Sequence, residues 1–132
     1  MSARYINPPD VHVPKGLYSH GVLLPAGADI LFVAGQIGAR LDGSWPQSIG
    51  EQADLAFANL LAVLAAAGME AGHIVKLNTY IVKGQDGAAV RAAREQHLGA
   101  HRPASTAVYV AALVHPEWKV EIEAIAAKPK EG

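Results

Sequence analysis

Apolar positions recur along this chain with two different periods, and the switches between them mark out the elements. From Ile49 to Ala67 the residues Ile49, Ala53, Ala56, Leu60, Val63, Leu64 and Ala67 return at three- and four-residue steps, the stripe of an amphipathic helix. Ser48 is placed to cap its start, with Glu51 three residues on as a capping-box partner, and Gly68 stops it. In "HIVKLNTYIV" the period falls to two. Ile74, Lys76, Asn78 and Tyr80 point one way and Val75, Leu77, Thr79 and Ile81 the other, which predicts a strand with one strongly apolar face. "GAAVRAAREQHLG" predicts a second, alanine-rich helix closed by Gly99. "STAVYVAALV" and "KVEIEAIAA" read as the last two strands, with His115-Pro116-Glu117 turning the chain between them. In the second of these, Val120, Ile122, Ala124 and Ala126 share one face, and Glu121 and Glu123 share the other.

Upstream of the first helix the pattern is shorter and more broken. "GVLL" and "ILFVAG" flank "PAGAD", whose Pro, Gly and Asp favour a turn, so a β-hairpin is expected there. "RYINPPDVHVPKG" reads as a proline-rich arm with one short strand, and "ARLDGSWPQS" as a loop. The order is β-β-β-α-β-α-β-β, an α+β pattern with one mixed sheet and two helices on one face. Covering only one face leaves the other carrying aliphatic side chains, so burial against further copies of the chain is expected.

Composition narrows the function classes. The 132 residues suit one domain, 1–132, and hydrophobic residues make up 51%, enough for a real core. Eleven basic residues stand against 12 acidic ones with no run of like charge. Affinity for nucleic acid through phosphate neutralisation is therefore not expected. There are no cysteines, which removes thiolate nucleophiles, disulfides and Cys-based zinc sites and fits a cytoplasmic location. "MSARYINPPD" lacks the apolar centre of a signal peptide, and the apolar stretch around "LLAVLAAAGM" reads as too short to span a bilayer. His97 and His101 stand four apart, but Gly99 and Pro103 interrupt the helix and no third ligand is evident, so no metal is expected. Neither a G-x-S-x-G elbow nor a phosphate-cradling G-x-x-x-x-G-K loop occurs.

Six blocks, "LYSHGV", "LFVAGQIG", "NLLAVLAAAG", "IVKLNTYIV", "RPASTAVYVAAL" and "VEIEAIA", follow one another from about Lys15 to Ala127 in the order found in the RidA (YjgF/YER057c/UK114) family, which this sequence resembles. The resemblance implies a chorismate-mutase-like fold of the bacillary type. It implies a homotrimer whose sheets face inward, and small-molecule clefts between neighbouring subunits. The implied activity is cofactor-free hydrolysis of reactive 2-imino or enamine acids to 2-keto acids and ammonia; some members have been described as endoribonucleases or translation inhibitors.

Carried over residue by residue, the resemblance makes Glu121 the group that positions the attacking water, a task for which a carboxylate one hydrogen bond away suffices. Glu123 is expected to be structural. Tyr18, which follows Gly-Leu where the family has Gly-Pro, and Gly35 and Gln36, where Ala34 replaces the family's serine, become substrate-binding positions. The departure that matters most is "PAST". Active deaminases read Pro-Ala-Arg-Ser or Pro-Ala-Arg-Thr there, and the arginine takes the substrate carboxylate in a two-pronged contact. Here Ser105 stands in its place, followed by Thr106. A charge-assisted bidentate pair exceeds one neutral hydrogen bond by about 2–4 kcal/mol at a shielded site. That difference is roughly thirty- to several-hundred-fold in binding, so a substrate different from that of the arginine-bearing members is expected. Arg91, with Arg94 one turn on, and Arg102 are the cations available to compensate. The alternative is a non-catalytic trimer that binds a metabolite or regulates a partner.

Overall fold

In the computed structural model, which describes residues 2–130, the last strand of the sequence lies in the interior of the sheet. The elements are β1 (Arg4–Ile6), β2 (Gly21–Leu23), β3 (Asp29–Gln36), α1 (Ile49–Ala66), β4 (Ile74–Val82), α2 (Gly87–Leu98), β5 (Ala104–Val110) and β6 (Val120–Lys128), in the expected order. The main sheet runs β3-β6-β4-β5. It is mixed: β6 is antiparallel to β3 and β4, while β4 and β5 are parallel. A parallel pair cannot be joined by a tight turn, and α2 supplies the crossover between β4 and β5.

The amphipathic reading of α1 places the core. Its Ala53, Ala56, Phe57, Leu60 and Leu64 are buried, and they meet Leu77 of β4 and Val120, Ile122, Ala124 and Ala126 of β6. Val90, Ala93 and Leu98 of α2 complete the same core. The helix starts as its cap residue requires, with Ser48 Oγ accepting from the Glu51 N–H at 3.2 Å. The hydroxyl also donates to the Glu51 carboxylate, so the return bond comes from the side chain and not from the Ser48 N–H. By length and composition α1 would suffice to cross a membrane, with a mean hydropathy of 1.3 over 18 residues, contrary to the short-segment expectation. Its apolar face is instead spent on the sheet.

Two expectations about the strands are corrected. "GVLL" and "ILFVAG" do not form a hairpin with one another: β2 pairs with β1, and β3 pairs with β6. Pro25 follows β2 closely and has no N–H to extend a ladder, and Gly27, at a φ of 83°, turns the chain away. The turn expected at His115-Pro116-Glu117 is present, with the Trp118 N–H donating to the His115 carbonyl at 3.1 Å, and it joins two strands that β4 separates in the sheet. Ile74 is buried with the core face instead of sharing the face of Lys76, Asn78 and Tyr80. A register shift between Ile74 and Lys76, where the chain gains one residue over β6, reverses the alternation at that end.

One buried polar residue ties the sheet to the loops. Gln52, on the inward face of α1, donates to the carbonyls of Pro46 and Glu117 at 2.9 and 3.0 Å and accepts from the Lys119 N–H at 2.9 Å. It thereby fixes where β6 begins, one residue before Glu121. Gln52→Leu leaves two carbonyls and an N–H inside without partners, and is expected to lower stability by about 2–4 kcal/mol. Chemical denaturation of the purified variant measures this; an unchanged midpoint would mean that water replaces all three bonds.

Candidate functional site

The residues that the sequence marks as functional separate into two groups on opposite faces of the sheet. Ser105 pairs with Leu77 across the β4–β5 ladder and so faces the helices, whereas Tyr80 pairs with both Val108 and Glu121 on the uncovered face.

The first group surrounds a cleft of about 330 Å³ between β5, α2 and the segment before β2. Tyr18, Arg91, Arg94, Ser105 and Tyr109 line it, over a floor of Phe57, Thr79 and Ile81. Backbone geometry brings Tyr18 and Ser105 to one place. The Ser19 N–H donates to the Pro103 carbonyl at 3.1 Å, its hydroxyl donates to the Arg102 carbonyl at 2.7 Å, and a parallel bridge joins Ser19 to Ala104. The Tyr18 hydroxyl lies 3.3 Å from His12 Nε2, and the His12 carbonyl in turn holds His20 Nε2 at 2.7 Å. His12 comes from the arm, and nothing in its spacing from Tyr18 signals this contact.

Of the cations that the sequence offers near "PAST", Arg94 is the one whose side chain reaches Ser105. One of its Nη atoms donates to the Leu17 carbonyl and to Ser105 Oγ at 3.3 Å, so a guanidinium does reach the "PAST" serine, from α2. Burial pulls its pKa below the usual arginine range, against the opposing charge of Glu95. A second cleft of about 380 Å³ shares Gly16, Leu17, Arg91 and Arg94 with the first and adds Lys15, Arg102 and Glu95. Cations scattered in the sequence thus gather around one hollow. Arg102 is exposed there, donating from Nη1 to the Gly16 carbonyl at 3.1 Å.

The second group lies on the uncovered face. Between Val33 and Gln36 the ladder to β6 shifts register, and Gly35 sits in that irregularity. The Glu121 side chain lies directly over it. A Cβ built on Gly35 would come within 2.8 Å of the Glu121 carboxyl carbon, and closer still to one of its oxygens. The glycine therefore makes room for the carboxylate itself. Gln36 turns back on the same bend, donating to the Ala34 carbonyl at 3.1 Å. Thr106, one residue from Ser105, faces this side of the sheet and accepts from Lys76 Nζ at 3.1 Å, so the two hydroxyls of "PAST" diverge.

The two glutamates of "VEIEAIA" have different surroundings. Glu123 accepts from the Tyr80 hydroxyl at 2.6 Å and from Asn78 Nδ2 at 3.1 Å. These bonds, the tyrosine's first, hold its pKa below the usual carboxylate range, and the same bond raises that of Tyr80. Glu121 has no side-chain hydrogen bond among the described residues, which leaves its oxygens free for a water or a substrate. His97 and His101 are drawn to separate partners, Asp54 at 2.7 Å and the Ile74 carbonyl at 2.7 Å.

Gly35→Ala is expected to keep the fold, because only the movable end of Glu121 must give way. For the imine hydrolysis that the resemblance implies, a misplaced carboxylate is expected to lower turnover by about 10²-fold. Ammonia release and the thermal midpoint, measured together, check this; a full-rate variant would show that Glu121 needs no clearance there.

The family model described as endoribonuclease L-PSP matches residues 10–128. The 2-iminobutanoate/2-iminopropanoate deaminase of Escherichia coli is 34% identical over 117 residues, 86% of this chain and 88% of the relative. A Rid-family protein of unknown function from Yersinia pestis, YyfB, superposes with a TM-score of 0.85 at 32% identity, covering 97% of this chain and all of that one. The E. coli TdcF structure with bound serine gives a TM-score of 0.71 at 30% identity, covering 96% and 99% of the two chains.

Proposed function

Because the chain belongs to the RidA family, we propose that it hydrolyses small reactive imines or enamines in a cleft completed by a second copy of itself. The observation that carries this reading is the separation of the two groups. The cleft around Ser105 and the Glu121 carboxylate lie on opposite faces of one sheet, so a single protomer cannot present both to one substrate. The uncovered face is also too apolar to meet water: Phe32 is 75% exposed, Ile30 52% and Val108 41%. Packing that face against a neighbour's β5 edge buries these side chains and brings Glu121 of one copy toward the Tyr18–Ser105 cleft of the next. A closed ring of three such copies accounts for both facts.

In this arrangement Glu121 accepts a proton from a water that adds to the imine carbon. The new C–O bond forms as the C=N π pair moves to nitrogen, and the first proton passes from Glu121 to that nitrogen to give a carbinolamine; its hydroxyl proton then also moves to nitrogen as the C–N bond breaks, releasing ammonia and a carbonyl product. Tyr18 holds a substrate oxygen through its hydroxyl. No cofactor is called for. Serine in the TdcF structure supports an amino-acid-sized ligand. Because Ser105 stands where arginine-bearing members carry their fork, the substrate differs from theirs in where its acidic group sits.

The test is ammonia release from enzymatically generated 2-iminobutanoate and 2-iminopropanoate, and from imines of larger amino acids, each compared with the uncatalysed rate. Acceleration of any of these supports the reading. A second reading follows from the same serine: without a strong anchor on β5 the cleft binds a metabolite without turnover, a role shown by thermal stabilisation with keto acids and no ammonia release.

A further inference from the structure

Resting on that reading of the cleft, we propose that Arg94 on α2 takes over the task of the missing motif arginine and anchors the substrate's carboxylate, with Ser105 orienting its guanidinium.

The geometry distinguishes Arg94 from the other cations. Arg91 and Arg102 are exposed, and Arg102 is already turned to the Gly16 carbonyl. Arg94 alone reaches Ser105. Ser105 Oγ donates to the Pro103 carbonyl at 3.1 Å, so its hydrogen points away and its lone pairs face the guanidinium. Serine at this position therefore acts as a rest for an arginine that arrives from another element. A second arginine at 105 would put two like charges at the same place.

The charge on Arg94 is also left available. Both groups that hold it, the Leu17 carbonyl and the Ser105 hydroxyl, are neutral. Among the described residues the only ion pair at contact distance joins His97 to Asp54; Glu95 acts on Arg94 from across the second cleft without a salt bridge, so the guanidinium makes no direct bond to a carboxylate. Its Nε is shut away from water without a partner. A half-buried guanidinium with no carboxylate bonded to it is costly, and an entering carboxylate lowers that cost while gaining charge-assisted hydrogen bonds. Arg94 lines both clefts, so the anion it holds lies nearer α2 than one held by a side chain rooted on β5. This displacement predicts a substrate range different from that of arginine-bearing relatives.

Calorimetric titration with 2-oxobutanoate and with its uncharged amide tests the assignment, alongside ammonia release from 2-iminobutanoate. The wild type should prefer the carboxylate. Arg94→Gln should weaken 2-oxobutanoate binding by about thirty-fold or more while leaving the amide unchanged, Arg94→Lys should fall between, and Arg94→Gln combined with Ser105→Arg should recover carboxylate binding. Equal affinity of wild type and Arg94→Gln for 2-oxobutanoate would overturn the proposal. So would an equal loss of both ligands in Arg94→Gln and Arg94→Lys, which is the mark of a structural role. If the wild type turns over imine yet Arg94→Gln binds the carboxylate normally, the anchor fails and the hydrolase stands. If selective carboxylate binding depends on Arg94 but no imine is consumed, the hydrolase fails and the anchor stands.

Discussion

Replacing Glu121 with glutamine should lower ammonia release by about 10²–10⁴-fold, the usual worth of a positioned proton acceptor, while leaving the fold intact. Both halves follow from its surroundings. The carboxylate lies over Gly35 with no side-chain hydrogen bond among the described residues, so an isosteric amide disturbs no contact. Chemically, the amide can still touch a water but cannot take its proton. Steady-state rates with generated 2-iminobutanoate and a thermal melt of the same sample decide the matter. Equal rates for the two proteins would remove Glu121 from the mechanism. Glu123, held by Tyr80 and Asn78, differs in kind, because losing it breaks two cross-strand bonds.

Phe32→Glu should separate the copies and abolish turnover while leaving Glu121 and the Tyr18–Ser105 cleft of each protomer in place. Phe32 stands 75% exposed on the uncovered face and adds almost nothing to the core of its own protomer. Burying one phenylalanine contributes about 1.5–3 kcal/mol, and each copy in a ring loses that much. A glutamate there also places a second carboxylate beside Glu123, which lines the same depression, and burying that pair unpaired costs several kcal/mol more. Solution mass by light scattering should fall from the assembled form to that of a single 13.8 kDa chain. Retained assembly would place the neighbour on some other surface.

Much of this fold is legible in the sequence because single elements obey single periods. The α1 stripe, the alternation of β6 and the glycine stops at Gly68 and Gly99 all carry through, with φ values of 71° and 64° at the two glycines. Pairing is less legible, since it depends on partners distant in the chain. A proline-limited β2 finds β1, and the β4–α2–β5 crossover leaves β6 to enter the interior of the sheet. The register shift before Lys76 reverses Ile74, and no local pattern announces it.

The site divides in the same way. Glu121, Tyr18 and the serine of "PAST" stand in blocks that the resemblance picks out. Their placement on two faces of one sheet is a matter of register and needs the structure. Arg94 lies 11 residues from Ser105 along the chain, and only the packing of α2 against β5 makes them neighbours. His12 reaches Tyr18 only through the path of the arm.

That the reaction centre is shared between protomers can be measured by complementation. Ser105→Phe, which fills the cleft on the helix side, and Glu121→Gln, which removes the carboxylate on the other, should each be inactive alone. Unfolded together and refolded as a mixture, they should regain about one quarter of wild-type turnover, because a random ring places an open cleft beside an intact glutamate in that share of its sites. A mixture as inactive as its components, with mixed assemblies demonstrated by mass, would contradict a cleft built by two copies.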